Sequence, residues 1–176
     1  MKLKFEKDLD YQNEAVKSIA DIFEGQSICH SNFTVTNYGQ SRGLYENNLG
    51  IGNRLELDEE DLLNNIRKIQ LRNGLPQTEN LKRGHYHFTV EMETGTGKTY
   101  VYLKTIFELN KKYGFTKFVI VVPSIAIKEG ANKTLEITET HFSELYENVV
   151  YNYFTYHSGN LDEVRSFAVS DNIEIM

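Results

Sequence analysis

Residues 91–100 read EMETGTGKTY, in which Gly95 and Gly97 are followed at once by Lys98 and Thr99. An apolar run ends before it and another begins after it, which predicts a strand, a tight loop and a helix. Glycine adopts positive φ easily, so successive N–H groups of the loop can turn inward around an anion. A helix start adds the positive end of its dipole. The stretch therefore predicts a phosphate-binding loop formed by Thr94, Gly95, Thr96, Gly97, Lys98 and Thr99.

The side chains of this loop extend the same prediction. Lys98 would reach the outer phosphates of a nucleotide, and the Thr99 hydroxyl suits Mg²⁺ held through that nucleotide. The full pattern G-x-x-x-x-G-K-[ST] requires glycine at position 92, where this chain has Met92. The alternative is a strand-to-helix turn with an incidental lysine. The position between a predicted strand and a predicted helix favours nucleotide binding.

The missing glycine narrows the class of protein. METGTGKT resembles motif I of superfamily 2 helicases and translocases, which commonly lack that glycine, whereas P-loop kinases and GTPases usually keep it. The resemblance implies ATP and Mg²⁺ as cofactors and a RecA-like P-loop NTPase fold. A small kinase or phosphotransferase stays open as an alternative, although it would need a lid with arginines. After Lys98 the chain offers only Arg165.

A second segment agrees with the first. FVIVVPS, residues 118–124, resembles motif Ia of the same superfamily. The resemblance implies that Pro123 and Ser124, with Lys128 nearby, contact the sugar-phosphate backbone of a nucleic acid. The alternative for these residues is an ordinary loop between a strand and a helix.

Near the start of the chain, DYQNEAV resembles the Q-motif of these motors. An amide offers one donor and one acceptor, which match the edge of adenine. Gln12 is therefore predicted to read adenine, with Tyr11 or Phe5 against the ring. The alternative is a solvated glutamine on a helix.

Residues 91–130 and 151–176 narrow the resemblance further. The helix after the loop, the YGFTKF connector and PSIAIKEG are similar to the Res subunit of type III restriction-modification enzymes. The similarity is weakest over residues 26–57. It implies a parent enzyme that uses ATP to drive a switch or movement on double-stranded DNA before cleaving it, together with methyltransferase (Mod) subunits. Another superfamily 2 helicase of DEAD/DEAH type is the alternative within the class.

The alternation of strands and helices from residue 85 onward predicts an α/β fold with a parallel sheet flanked by helices. The expected strands are 85–92, 117–124, 148–158 and 172–176, and helices are expected in 98–114, 130–146 and 161–170. We expect residues 85–176 to form the first part of a RecA-like motor domain. The sheet is expected to be incomplete at the C-terminus, because a strand begins in the last residues.

Residues 1–84 are expected to form a separate region with the Q-motif-like helix, an insertion and a capping helix. The first helix spans residues 10–24 and is stopped by Gly25. Residues 26–57 are polar and predict a β-hairpin or an irregular insertion. The second helix has Asp58 as its N-cap, followed by Asp61, and it ends at Asn73 and Gly74.

Hydrolysis of ATP needs an Asp-Glu pair on a later strand, and no apolar strand followed by such a pair comes after the loop. The pairs in NLDEV (160–164) and LELDEED (55–61) are better explained as helix starts. We therefore expect a fragment cut before the acidic box, with no catalytic residue of its own. This polypeptide would bind nucleotide at most weakly and is expected not to turn over ATP, translocate or cut DNA. A non-catalytic nucleotide-binding module, complete at Met176, is the remaining alternative.

The composition of the chain limits the classes of protein and the kinds of site that are possible. The chain has 176 residues, a net charge of −6 and a single cysteine, Cys29. One cysteine forms no disulfide framework, and a metal site needs more ligands than the pair His85 and His87 supplies. The other histidines, His30, His141 and His157, are expected to stand alone. The sequence lacks an apolar stretch of membrane-spanning length, so a cytoplasmic protein with no membrane partner is expected.

Overall fold

A computed structural model describes residues 6, 8–36, 47–81, 86–159 and 161–176. The elements in chain order are α1 (Asp10–Ala20), a 3-10 turn (Asp21–Phe23), β1 (His30–Thr36), β2 (Asn47–Asn53), α2 (Glu59–Arg72), α3 (Lys98–Tyr113), β3 (Lys117–Phe118), α4 (Ile125–Leu145), β4 (Tyr151–Tyr153), α5 (Leu161–Val169) and β5 (Ile173–Ile175). The α/β class expected from the sequence is confirmed.

A parallel three-stranded sheet forms the centre of the fold, in the order β3-β5-β4. All three residues of β5 are buried, as expected for a strand with neighbours on both sides. The Glu174 amide donates to the Thr116 carbonyl at 2.7 Å, and the Phe154 amide donates to the Ile175 carbonyl at 3.0 Å. The strand predicted at 172–176 is therefore confirmed, and it is the central one.

Helices α3 and α4 cover this sheet with aromatic side chains. Phe107 of α3 stacks on Phe142 of α4 at 4.8 Å between ring centroids, and Tyr151 of β4 meets Phe107 edge-on at 5.1 Å. Phe107 and Phe142 are fully buried. Stacked and edge-on rings contribute beyond the area that they bury, so this cluster fixes both helices on the sheet.

α1 begins at Asp10 as predicted but ends at Ala20, four residues before the predicted 24, where a 3-10 turn over Asp21–Phe23 continues the chain, and α2 begins as predicted. In α2, the Asp61 amide donates to the Asp58 carboxylate at 2.9 Å, which makes Asp58 the N-cap. The buried Asn65 side chain donates to the carbonyls of Ile22 and Glu24 at the end of the first helix. α1 in turn packs against α3, where the Tyr113 hydroxyl donates to the Ala20 carbonyl at 2.9 Å.

The predicted hairpin is present as the antiparallel pair β1–β2, and residues 37–46 between its strands lie outside the described residues. Asn53 at the end of β2 ties the hairpin to the sheet. Its Nδ2 donates to the Lys117 carbonyl at 2.7 Å, and its Oδ1 accepts from the amides of Thr116 and Lys117. This side chain therefore pairs with the backbone of β3 much as a neighbouring strand would.

Two predicted strands are corrected by the structure. Residues 86–92 form no strand, and Phe88 and Val90 are exposed. The predicted strand 117–124 is limited to Lys117–Phe118, and Val121 is 88% exposed rather than buried. A strand needs a partner for its backbone groups. Within the described sheet only β5 pairs with β3, and β5 ends at Ile175.

Other bounds shift less. α4 begins five residues before the predicted 130, and β4 is shorter than the predicted 148–158. The division into residues 1–84 and 85–176 stays a prediction, and residues 82–85 at that boundary lie outside the described residues, as does His85. In the described part of the chain, no helix combines the length and apolar character needed to cross a membrane.

Candidate nucleotide-binding site

The glycine-rich loop turns directly into α3. Gly95 and Gly97 adopt φ of 83° and 84°, the left-handed region that glycine enters without strain. Gly97 is the N-cap residue of α3, and among the described residues no side chain caps this helix. The first N–H groups of a helix have no partner within it. The loop therefore ends at an uncapped helix start, the local geometry that binds anions.

The side chains of Lys98 and Thr96 form hydrogen bonds with backbone carbonyls of the loop. The Lys98 ammonium donates to the carbonyls of Met92 and Glu93, each at 2.7 Å, and the Thr96 hydroxyl donates to the same Glu93 carbonyl at 2.7 Å. The ammonium group is exposed to solvent. It is therefore held over the loop by two neutral acceptors, which an anionic phosphate oxygen can replace with a stronger, charge-assisted hydrogen bond.

Gln12 reaches the loop from α1. Its side chain is buried, and its Nε2 donates to the Thr96 carbonyl at 2.9 Å. A Cβ added at Gly97 would come within 2.6 Å of this Nε2. The loop and α1 are thus in close contact although Gln12 and Thr96 are 84 residues apart.

The structure gives Gln12 a contact that the sequence did not predict, and its role as the adenine reader stays a prediction. Of the two aromatic residues expected beside adenine, Tyr11 lies next to Gln12 and is half exposed, with its hydroxyl 3.5 Å from Gln12 Nε2. Phe5 lies outside the described residues.

A second contact between α1 and α3 was missed by the sequence analysis. The Lys104 ammonium donates to Asn13 Oδ1 at 2.6 Å, and Lys104 is nearly fully buried. Asn13 directly follows Gln12, so consecutive side chains of α1 hold the loop and the helix that follows it. The position of Asn13 beside Gln12 is the only sequence signal for this contact, because its partner is 91 residues away.

The first turn of α3 is also linked to α4. The Tyr100 hydroxyl lies 2.8 Å from Nε2 of His141, a contact that the sequence did not predict. Burial, with a smaller contribution from the Asp8 carboxylate, raises the pKa of the Tyr100 phenol above its ordinary value. Tyr100 therefore stays uncharged at neutral pH and joins the helix of the loop to α4.

The residues expected to contact nucleic acid lie at the start of α4. Ser124 is the N-cap residue, and its Oγ accepts from the Ile127 amide at 3.3 Å. Pro123 and Ser124 are exposed, and the Lys128 ammonium lies 3.2 Å from a Glu129 carboxylate oxygen. The three residues are thus at an accessible helix start, and their contact with a nucleic acid stays a prediction.

The site has limited means of holding a metal ion by itself. Thr99 is half-buried in the first turn of α3. No group of three or more His, Cys, Asp or Glu side chains that could hold a metal ion occurs in the ranges that the structure describes. A Mg²⁺ ion at Thr99 would need further ligands from a nucleotide, and the role of Thr99 stays a prediction.

Comparisons with known proteins agree with these features. A family model described as type III restriction enzyme, res subunit, matches residues 6–164. The EcoPI Res subunit of Escherichia phage P1 is 35% identical over 153 residues, which cover 85% of this chain. The EcoP15I Res subunit of Escherichia coli is 40% identical over 102 residues, or 56% of this chain. The StyLTI Res subunit of Salmonella typhimurium is 52% identical over 73 residues, or 40% of this chain.

These relatives are much longer proteins. The matches cover 14%, 10% and 7% of their lengths, in the same order. The matched family segment contains the glycine-rich loop, Gln12 and the start of α4.

Proposed function

Because the chain belongs to the type III restriction enzyme Res subunit family, we propose that it forms the ATP-binding part of a DNA-dependent motor in a restriction-modification enzyme. The whole enzyme would use ATP and Mg²⁺ to act on double-stranded DNA and would work with methyltransferase (Mod) subunits in the cytoplasm. This activity belongs to the longer protein.

The single observation that supports this function best is the loop at the start of α3. Two glycines with positive φ precede an uncapped helix, and an exposed ammonium group lies over the loop on neutral carbonyls. These residues fit a triphosphate. The main-chain N–H groups of residues 94–99 would surround the phosphates, and Lys98 would move from the carbonyls of Met92 and Glu93 to a phosphate oxygen. Thr99 would hold Mg²⁺ through the nucleotide.

Gln12 completes the proposed site. Its position against the Thr96 carbonyl supports a role beside the nucleotide, because any group bound in the loop lies next to α1. When bound, Mg²⁺ neutralises charge on the phosphates. In this proposal the loop positions the phosphates and Gln12 positions adenine. Thr96 in turn holds the loop in place.

The DNA side of the proposal rests on the start of α4. Pro123, Ser124 and Lys128 would contact the sugar-phosphate backbone, and the exposure of Pro123 and Ser124 supports this role. The carboxyl ends of β3 and β4 meet at one edge of the sheet, where ligands of open α/β sheets bind.

Calorimetric titration of the 176-residue chain with ATP and Mg²⁺ tests the proposal. We expect binding by the native chain and a loss of at least about tenfold in affinity for Lys98→Ala, because a charge-assisted bond is worth roughly 1.5–3 kcal/mol. Lys111→Ala, at the far end of the same helix, is the matched control and should bind ATP normally. Equal affinities for the native chain and Lys98→Ala would refute the assignment of the loop.

A further inference from the structure

Two polar contacts join consecutive residues of α1 to the loop and to α3. Gln12 Nε2 donates to the Thr96 carbonyl at 2.9 Å, and Asn13 Oδ1 accepts from the Lys104 ammonium at 2.6 Å. Gln12 and Lys104 are 7% and 8% exposed. Both contacts are therefore shielded from most of the water that would compete for the same groups.

The two contacts hold α1 from different directions. Consecutive residues of an α-helix lie about 100° apart around its axis. On the other side, Thr96 precedes α3, whereas Lys104 is the seventh residue of that helix. A helix that is held at two such points cannot rotate about its axis without breaking one of the two hydrogen bonds.

The apolar contacts of α1 restrict this rotation less. Val16 and Ala20 continue the buried stripe that begins at Gln12, and the burial of apolar surface has no preferred direction. The Tyr113 hydroxyl donates to the Ala20 carbonyl, at the far end of α1. The end of α1 that carries Gln12 is therefore oriented by the two polar contacts.

The burial of Lys104 fits such a role. Taking an ammonium group out of water costs free energy, which the hydrogen bond to Asn13 and the Tyr100 ring, 6.0 Å from Nζ, offset in part. Buried polar groups often contribute no net stability, and their best-known effect is to fix one register between packed helices. Lys104 therefore suits the orientation of α1 better than the stability of the fold.

We propose that Asn13 and Lys104 are positioning residues that hold Gln12 in the orientation needed to distinguish adenine from guanine. The proposal rests on the proposed function, since it takes Gln12 as the residue that binds adenine. Adenine presents a donor beside an acceptor, whereas guanine presents two acceptors at the same positions. One amide orientation matches adenine alone, so a small rotation of α1 is enough to lose the distinction.

Competition between ATP and GTP for the 176-residue chain, followed by calorimetry, tests the proposal. We expect Asn13→Ala to reduce the preference for ATP by about two- to tenfold, the range for one typical hydrogen bond. Asn13→Asp should keep the preference, because a carboxylate still accepts from the Lys104 ammonium. Lys17→Gln, a change at an exposed residue of the same helix, should behave as the native chain.

The ratio of the two affinities separates positioning from a loss of stability. A smaller folded fraction weakens ATP and GTP binding by the same factor. The double variant Gln12→Ala/Asn13→Ala should lose no more preference than Gln12→Ala alone, because Asn13 acts through Gln12. Lys104→Met removes the donor of the same hydrogen bond and should show the same loss, which provides a second variant should Asn13→Ala fail to fold.

The outcomes distinguish this inference from the function on which it rests. If Gln12→Ala loses the preference but Asn13→Ala keeps it, or if the two losses add in the double variant, the positioning role alone is overturned. An equal loss of ATP and GTP affinity for Asn13→Ala also overturns it. A native chain that binds ATP and GTP equally overturns the role of Gln12 as well, and a chain that binds neither overturns the assignment of the loop together with this inference.

Discussion

Two long helices, α3 and α4, pack on each other beside the same sheet, and their first turns are built differently. α3 begins at a glycine with positive φ, with no side-chain cap among the described residues, and it is backed by the buried Gln12. The N-cap residue of α4 is Ser124, whose hydroxyl oxygen accepts a hydrogen bond from the Ile127 amide. The first residue of the helix, Ile125, is 76% exposed. The sequence predicted a strand and a turn before each of them, so the predicted order of elements alone does not distinguish them. The start of α3, which has no side-chain cap and is backed by a buried side chain, suits a phosphate group. The start of α4 is already capped and is exposed to solvent.

The largest expected loss of ATP affinity comes from adding one carbon atom at Gly97, the N-cap residue of α3. Gly97→Ala introduces a Cβ within 2.6 Å of Gln12 Nε2 at a φ of 84°. Strain of about 1–3 kcal/mol at such a site and displacement of Gln12 should lower ATP affinity by at least tenfold, roughly the lower end of that range. Calorimetric titration measures the change. Gly97→Ala with native affinity would show that the loop does not need its left-handed residue.

Gln12 offers a smaller test of the same helix start. Gln12→Ala removes the bond to the Thr96 carbonyl, and a typical hydrogen bond contributes about 0.5–1.5 kcal/mol. We expect ATP affinity to fall about fivefold and the preference for ATP over GTP to disappear, because Gln12 is proposed to read adenine. Competition between the two nucleotides measures this. An equal loss for ATP and GTP would leave Gln12 as a support of the loop only.

A substitution at the start of α4 should change the stability of the chain and leave its nucleotide binding unchanged. Ser124→Ala removes the N-cap of α4 and should lower the free energy of unfolding by about 1 kcal/mol, while ATP affinity stays unchanged. The matched control is Gly130→Ala in the same helix. A Cβ there meets nothing within 4 Å, so this change should stabilise α4 by about 0.5–1 kcal/mol. Chemical denaturation measures both, and a drop in ATP affinity for Ser124→Ala would contradict the division of roles.

The smallest effect is expected from one lysine at the open surface. Lys128→Gln removes one proposed phosphate contact, so the slope of log affinity for DNA against log salt should fall by about 1. Its partner Glu129 is exposed, and exposed ion pairs contribute little to stability, so unfolding should be unchanged. Lys111→Gln should keep the native slope. An unchanged slope for Lys128→Gln would remove this residue from the DNA surface.

The helices were predictable from the sequence because their signals are local. Asp58 and Asp61 lie three residues apart and form the predicted cap, and Gly114 ends α3 in the left-handed conformation. The loop of residues 94–99 could be recognised for the same reason. The lengths of the strands were not predictable, because a strand forms only where another strand supplies partners for its backbone. Residues 86–92 and 119–122 have the right composition but are not assigned as strands within the described sheet.

Side-chain contacts between residues far apart in the sequence could not be predicted either. Gln12 was identified as a site residue, but its bond to the Thr96 carbonyl required the packing of α1 on α3. Asn13, Asn53 and His141 have no motif around them, and their partners lie 91, 64 and 41 residues away. A single sequence carries no signal for such pairs, although each of them fixes an element around the candidate site.

The most direct measurement of the central claim is the response of individual backbone amides to ATP. Titration of the ¹⁵N-labelled chain with ATP and Mg²⁺, followed by two-dimensional NMR, reports on both helix starts at once. The account predicts large shifts for the amides of residues 95–99 and little change for those of residues 125–127. Shifts confined to the start of α4, or none at either helix start, would contradict it.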